Sequence, residues 1–259
     1  MVNLRGLLDD AYAAVGAYSA DILYIYTDFR HFGVHMAGFP DRDSFCAAIV
    51  SPLLARGKTI VLTTFTYTSE GRFDVLTTPS RLGAMNRWIT HQPRVRRSEH
   101  PMFSLAALGP QADLVAGVGK SAFGFESVYA RLSGRNASFL HVGRPIAMGN
   151  TLLHHVEQQC GATYRVHKAF RTEVYRGLEY VGTDYTALVR RRDVAGEGFE
   201  FDFTRAAAGL FERGLVKQVG ADEELSNISC YAYDETLDYL SNAFYRDPRI
   251  FIKSDFIQY

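Results

Sequence analysis

Leu4, Leu7, Leu8, Tyr12 and Val15 recur at helical spacing, which predicts an amphipathic helix over residues 3–19 with Asn3 as its cap. Asp21 then introduces Ile22-Leu23-Tyr24-Ile25-Tyr26-Thr27, a compact β-prone run that suits a buried strand. A loop carrying Gly33, Gly38 and Pro40 leads to Asp41, which opens a second helix through about Ala55 that Gly57 closes. Lys58 to Thr66 is again strand-like. A crossover long enough for a helix between two such strands argues for parallel pairing.

Beyond this point the apolar runs shorten. Residues 67–80 read as a polar loop ending at Pro79-Ser80, with Ser80 capping a helix through Trp88. Phe103 to Leu108 and Ala137 to Val142 are short apolar strands, separated by a helical segment near Phe125 to Leu132. Asn150 to Cys160 is a helix ended by Gly161. Thr163 to Arg171 and Tyr180 to Arg191 look extended and more polar, as antiparallel strands do, and Arg190-Arg191-Arg192 reads as surface. Ala206 to Arg213 and Asp234 to Phe244 are helices, and Ile250-Phe251-Ile252 a terminal strand. With no linker and no repeat, the expectation is one domain over 1–259. Its fold class is three-layer α/β/α with a mixed central sheet and a partly antiparallel, looser portion from residue 162.

Composition narrows the function classes. Lys plus Arg equals Asp plus Glu, 28 against 28, so no global field draws the chain to nucleic acid or a membrane surface. A charged ligand must be met by local clusters. No apolar run reaches the roughly 18 residues of a membrane helix. Asp9-Asp10 stands where a secretory core would be, so the cytoplasm is expected. Cys46, Cys160 and Cys230 are odd in number and widely spaced, forming neither a disulfide framework nor a CxxC site.

Two segments carry candidate chemistry. Arg94, Arg96 and Arg97 precede His100 and Ser104 between a helix and a strand. Most such triplets are solvated surface, but loops at strand ends carry sites in α/β folds, and guanidinium forks suit phosphate oxygens. On the 150–160 helix His154 and Glu157 share a face, being three residues apart, whereas His155 sits on the next one. A lone helical histidine is more often a core residue; the adjacent acid and the preceding Gly149-Asn150 turn favour a functional one. Gly117-Val118-Gly119-Lys120-Ser121 fails as a P-loop, because the required earlier glycine is Leu114. The overlapping G-x-G-x-x-A match lacks its acidic partner about 20 residues on. There is no HExxH, no carboxylate-rich partner stretch and no G-x-S-x-G elbow, so neither a metal site nor a hydrolase of that type is indicated. Nothing places a histidine beside any of the three cysteines.

Four segments together resemble the aminoglycoside 3-N-acetyltransferase family. They are Thr78-Pro79-Ser80-Arg81-Leu82-Gly83-Ala84, His100 to Pro110, Phe123-Gly124-Phe125-Glu126-Ser127, and Thr151-Leu152-Leu153-His154-His155-Val156-Glu157, in the family's order over about residues 20–160. The resemblance implies transfer of an acyl group, typically acetyl from acetyl-CoA, to an amine on a sugar, without a metal. It puts His154 at the catalytic histidine position, with Glu157 in the same motif. A partner acid falls at Asp202 in Phe199-Glu200-Phe201-Asp202. Thr27, Asp28, Phe29, Ser80, Arg96, Arg97, His100 and Ser104 are then expected at the acyl-CoA. At the strand end Tyr26-Thr27-Asp28-Phe29 departs from the family's usual His-x-Ser-Leu and is more like members assigned to surface-polysaccharide synthesis. The acceptor expected from this departure and from the arginines is an amino sugar, nucleotide-linked and therefore anionic. The alternatives are an aminoglycoside, or a non-catalytic CoA- or sugar-binding protein; a homo-oligomer is compatible with the abundant aromatics.

Overall fold

The computed structural model of the chain describes residues 4–191, 200–220, 225 and 227–253; Asn3, Arg192 and Phe199 lie outside them. The strand β1 (Ile22–Thr27) forms the middle of a seven-stranded sheet. Successive side chains of a strand face opposite ways, so Ile22, Tyr24 and Tyr26 enter one core while Leu23 and Ile25 enter another. Burial on both faces explains why the run is apolar throughout rather than alternating. Its neighbours β2 (Thr59–Thr63) and β6 (Ala137–Val142) are both parallel to it, as the strand–helix–strand pattern predicts. Outside this trio the pairing turns antiparallel. On one side stand β5 (Leu105–Leu108) and the two-residue β4 (Arg96–Arg97); on the other, β12 (Ile228–Ala232) and the two-residue β11 (Lys217–Gln218).

Helices cover both faces, giving the expected α/β/α layering. Against Leu23, Ile25, Ile60 and Leu62 pack α1 (Leu4–Ala14), α2 (Arg42–Ala55) and α3 (Ala84–Trp88). Asp41 caps α2 by accepting the Ser44 N–H at 2.7 Å, and Gly57 follows it with φ 68°. Against Tyr24, Tyr26, Phe139 and Tyr231 pack α4 (Val128–Leu132), α5 (Leu152–Cys160), α6 (Thr204–Glu212) and α7 (Tyr233–Arg246). No helix among the described residues is long and apolar enough to cross a membrane.

Several expectations are corrected. The supposed polar loop 67–80 contains β3 (Glu70–Asp74), which pairs in parallel with β8 (Arg171–Arg176); β9 (Glu179–Gly182) completes this small sheet. β3 exposes Glu70, Gly71 and Arg72, so only its remote partner makes it a strand. Ser80 does not cap α3, whose N-cap is Gly83; its Oγ accepts instead from the Leu82 N–H. The polar segments after residue 162 are β7 (Arg165–Ala169) and β10 (Thr186–Arg190), antiparallel to each other as predicted. Strand β12 has no counterpart in the pattern reading, and the terminal strand at Ile250–Ile252 reduces to one bridge between Phe201 and Ile252.

Candidate functional site

Helix α5 begins beside the C-terminal end of β1 and carries the site. Gly149, at φ 75°, turns the chain into it, and a Cβ there would meet the Phe201 ring at 2.8 Å. Gly161, at φ 76°, ends it with a left-handed cap. That cap reverses the chain, returning Tyr164 and Arg165 to the buried end of α5. Glu157 is their target. Its Oε1 accepts from the Tyr164 hydroxyl at 2.9 Å, and its Oε2 lies 2.6 Å from Arg165 Nε. The same Oε2 lies 2.8 Å from His154 Nδ1.

The two groups differ in exposure and charge. Glu157 has no exposed side-chain surface, whereas His154 keeps 26% of its own. Burial alone would raise the Glu157 carboxyl, but the His154 hydrogen bond, its charge and the Arg165 guanidinium outweigh burial and hold it below its ordinary value. Burial lowers the His154 imidazole; Glu157 partly offsets this, and the positive charges of Arg165 and Arg190 add to it. A neutral ring beside a carboxylate carries its proton on Nδ1, leaving the Nε2 lone pair available as a base. The Phe123 ring, 5.1 Å away, packs against the imidazole. His155, by contrast, is buried, with Nδ1 2.7 Å from the Phe123 carbonyl.

His154 opens onto a cavity of about 290 Å³ lined also by Tyr26, Arg144, Gly149, Asn150, Thr151, Arg165, Arg190 and Phe201. Three tyrosine hydroxyls, those of Tyr24, Tyr26 and Tyr129, converge on Thr151 Oγ1, each at 2.8 Å. They fix the first turn of α5 to β1 and to α4. Arg144 donates to the Gly149 and Met148 carbonyls at 2.5 and 2.7 Å, bracing the turn below the cavity. A second cavity of about 340 Å³ is lined by Thr27, Asp28, Phe29, Arg30, Met36, Arg42, Gly83 and Ala84. Tyr26 and Thr27 are consecutive in β1, so the two cavities open on opposite faces of the sheet at one strand end.

The expected residues therefore divide. His154 and Glu157 come together, and Thr27, Asp28 and Phe29 line a cavity. Asp202 does not join the histidine: its carboxylate accepts the Thr204 N–H at 2.8 Å at the start of α6, and Glu157 takes the position beside the imidazole. Ser80, Arg97, His100 and Ser104 form an internal strut instead of a phosphate grip. Arg97 is 4% exposed and spends its guanidinium on the carbonyls of Thr64 and Thr78 and on Ser104 Oγ. His100 lies 2.9 Å from the Thr186 carbonyl through Nε2 and accepts the Met102 and Phe103 N–H groups through Nδ1; burial pushes it down to about 4. Ser104 donates to the Thr64 carbonyl and Ser80 to that of Phe65, both fully inside. Arg96 is exposed and pairs with Asp113 at 2.6 Å. Arg190, read as surface from its polar neighbours, lines the His154 cavity. Arg144, Arg165 and Tyr164 gave no local signal, although an acid placed among apolar helix positions requires a counter-charge from somewhere.

A buried carboxylate, a half-open neutral imidazole and a cavity at the end of a parallel strand are features of an α/β enzyme site able to take up a proton. The chain belongs to the aminoglycoside 3-N-acetyltransferase family, whose profile matches residues 49–225, and it is an N-acyltransferase of that type. Among solved structures it is similar to a point mutant of aminoglycoside acetyltransferase AAC(3)-IVa in complex with a gentamicin. The identity is 22% and the TM-score 0.72, over 95% of this chain and 90% of that one. AAC-VIa bound to sisomicin gives 18% identity and TM-score 0.70, over 95% and 97%. YokD from Bacillus subtilis gives 15% and 0.70, over 94% and 99%. These identities establish a shared fold. No curated protein matches the chain.

Proposed function

We propose that this protein transfers the acetyl group of acetyl-CoA to an amino group of an aminoglycoside-type amino sugar, with His154 as general base. The observation that carries this reading is the His154–Glu157 pair, with Nδ1 anchored on a fully buried carboxylate and the ring open to a cavity. A sugar amine is largely protonated at neutral pH and attacks a thioester only after losing a proton. The amine nitrogen bonds to the thioester carbonyl carbon, the C–S bond breaks, and the proton passes from nitrogen to His154 Nε2 and then to the departing thiolate. Glu157 holds the ring in the right tautomer and stabilises its transient charge. In this reading the nucleotide end of acyl-CoA occupies the Thr27–Asp28–Phe29 cavity and its pantetheine arm crosses the end of β1, bringing the thioester beside His154, where the amine enters.

One observation favours a second acceptor. Arg144, Arg165 and Arg190 all line the His154 cavity, and guanidinium groups suit an anionic amino sugar, such as a nucleotide-linked one, better than a polycation. Release of free CoA thiol, measured with gentamicin, sisomicin and glucosamine 6-phosphate, separates the two. Turnover confined to the phosphorylated amine selects the anionic class. For His154→Ala, kcat is expected to fall about 10²–10⁴-fold. Near wild-type turnover in that variant removes His154 from the chemistry.

A further inference from the structure

Behind the cavity lies a hydrogen-bond chain whose direction is fixed at every step. His141 Nδ1 lies 3.0 Å from the Arg144 carbonyl, which can only accept, so Nδ1 carries the proton. The ring is fully buried, and burial pushes it down to about 3; it is neutral, and Nε2 is an acceptor. Tyr231 lies 2.9 Å from Nε2 and must donate to it. The Tyr231 oxygen then accepts from Asn150, whose Nδ2 is 3.1 Å away. This sequence of donors permits one orientation of the Asn150 amide and leaves Oδ1 on its other side. Asn150 is 3% exposed and lines the His154 cavity, and its Oδ1 meets no donor among the described residues. Thr151 cannot supply one: its backbone N–H goes to Tyr26 at 2.9 Å, and its hydroxyl is engaged with the three tyrosines.

We infer that Asn150 Oδ1 binds an N–H of the acceptor amine, with Tyr231 and His141 as positioning residues that lock the amide in that orientation. The inference rests on the acyltransfer reading and extends it to the geometry of the nucleophile. A buried, unpaired amide oxygen is unfavourable until a donor reaches it, and the entering amine is a donor of the right kind. With one N–H held by His154 Nε2 and another by Asn150 Oδ1, the nitrogen lone pair has a single remaining direction, toward the thioester. A tertiary amine, which lacks both protons once neutral, is excluded.

The test is Asn150→Ala, read by steady-state kinetics, by calorimetric titration of gentamicin and glucosamine 6-phosphate, and by thermal melting. The KM and Kd for the amine are expected to rise about 10–100-fold while the acetyl-CoA KM stays within about twofold. Tyr231→Phe, which frees the amide to turn, is expected to raise the amine KM about 3–10-fold with the same split, and decides the matter if Asn150→Ala does not fold. Unchanged amine affinity in Asn150→Ala, or equal losses for both substrates, overturns the assignment. Failure of the acyltransfer reading looks different: wild type binds an amine yet releases no CoA, and the calorimetric comparison still decides Asn150. If wild type binds neither amine, both ideas fall.

Discussion

At the scale of single residues, the unequal exposure of His154 and Glu157 sets the division of labour in the proposed reaction. There the half-open imidazole meets the substrate, and the sealed carboxylate keeps its charge because His154 and Arg165 outweigh its burial. Glu157 raises the affinity of His154 for a proton while burial and the arginines lower it, so His154 stays neutral at pH 7. Glu157→Gln takes away the raising influence. The acid limb of kcat/KM is therefore expected below pH 6.5 in wild type and lower still in the variant, with kcat reduced about 10–10²-fold. A pH–rate profile whose limb moves upward contradicts this account. The sealed position also explains why Glu157, and not Asp202, serves the ring: Asp202 is committed to a backbone N–H at the start of α6.

At the scale of elements, the 96–104 segment shows how a convincing motif becomes architecture. Arg97 and the hydroxyls of Ser98 and Ser104 turn inward, where Arg97 ties β4 to the chain at Thr64 and Thr78, while Arg96 stays at the surface. Arg97→Met leaves those carbonyls without their partner and is expected to cost about 2–4 kcal/mol in chemical denaturation, with no change in the acetyl-CoA KM. A weaker grip on acetyl-CoA in a variant of normal stability returns Arg97 to the ligand site. In the sequence an arginine before an apolar strand looks the same whether it faces solvent or spans the core. What was legible was period: β1, α2, β2, β6 and α5 emerge with their caps because burial on one or both faces imposes a repeat on the residues themselves. β3 and β12 did not emerge. β3 is largely exposed, and β12 is a strand because β6 offers it an edge. The site was legible to the same degree: the His154–Glu157 spacing lies within one helix, whereas Asn150, Tyr231, Arg165 and Arg190 meet only through the fold.

At the scale of the whole molecule, two buried neutral histidines tie stability to pH. His100 and His141 sit at about 4 and about 3, below the 6.5 of an unfolded histidine. The unfolded chain therefore binds protons that the folded one refuses. The stability involved is fully present above pH 6.5, and each group loses roughly 1.4 kcal/mol per pH unit as pH falls toward its folded value. The thermal midpoint is expected to drop between pH 6.5 and 4; a flat profile across that window is the contrary result.

The outermost strands of the large sheet, Arg96–Arg97 and Lys217–Gln218, are two residues each, and each exposes one cation, Arg96 and Lys217. A second molecule arriving at either border finds almost no ladder to extend and a positive charge in its way. Crowded solutions of this protein are accordingly guarded against zippering into continuous fibres through that sheet, and whatever self-association occurs must use another part of its surface.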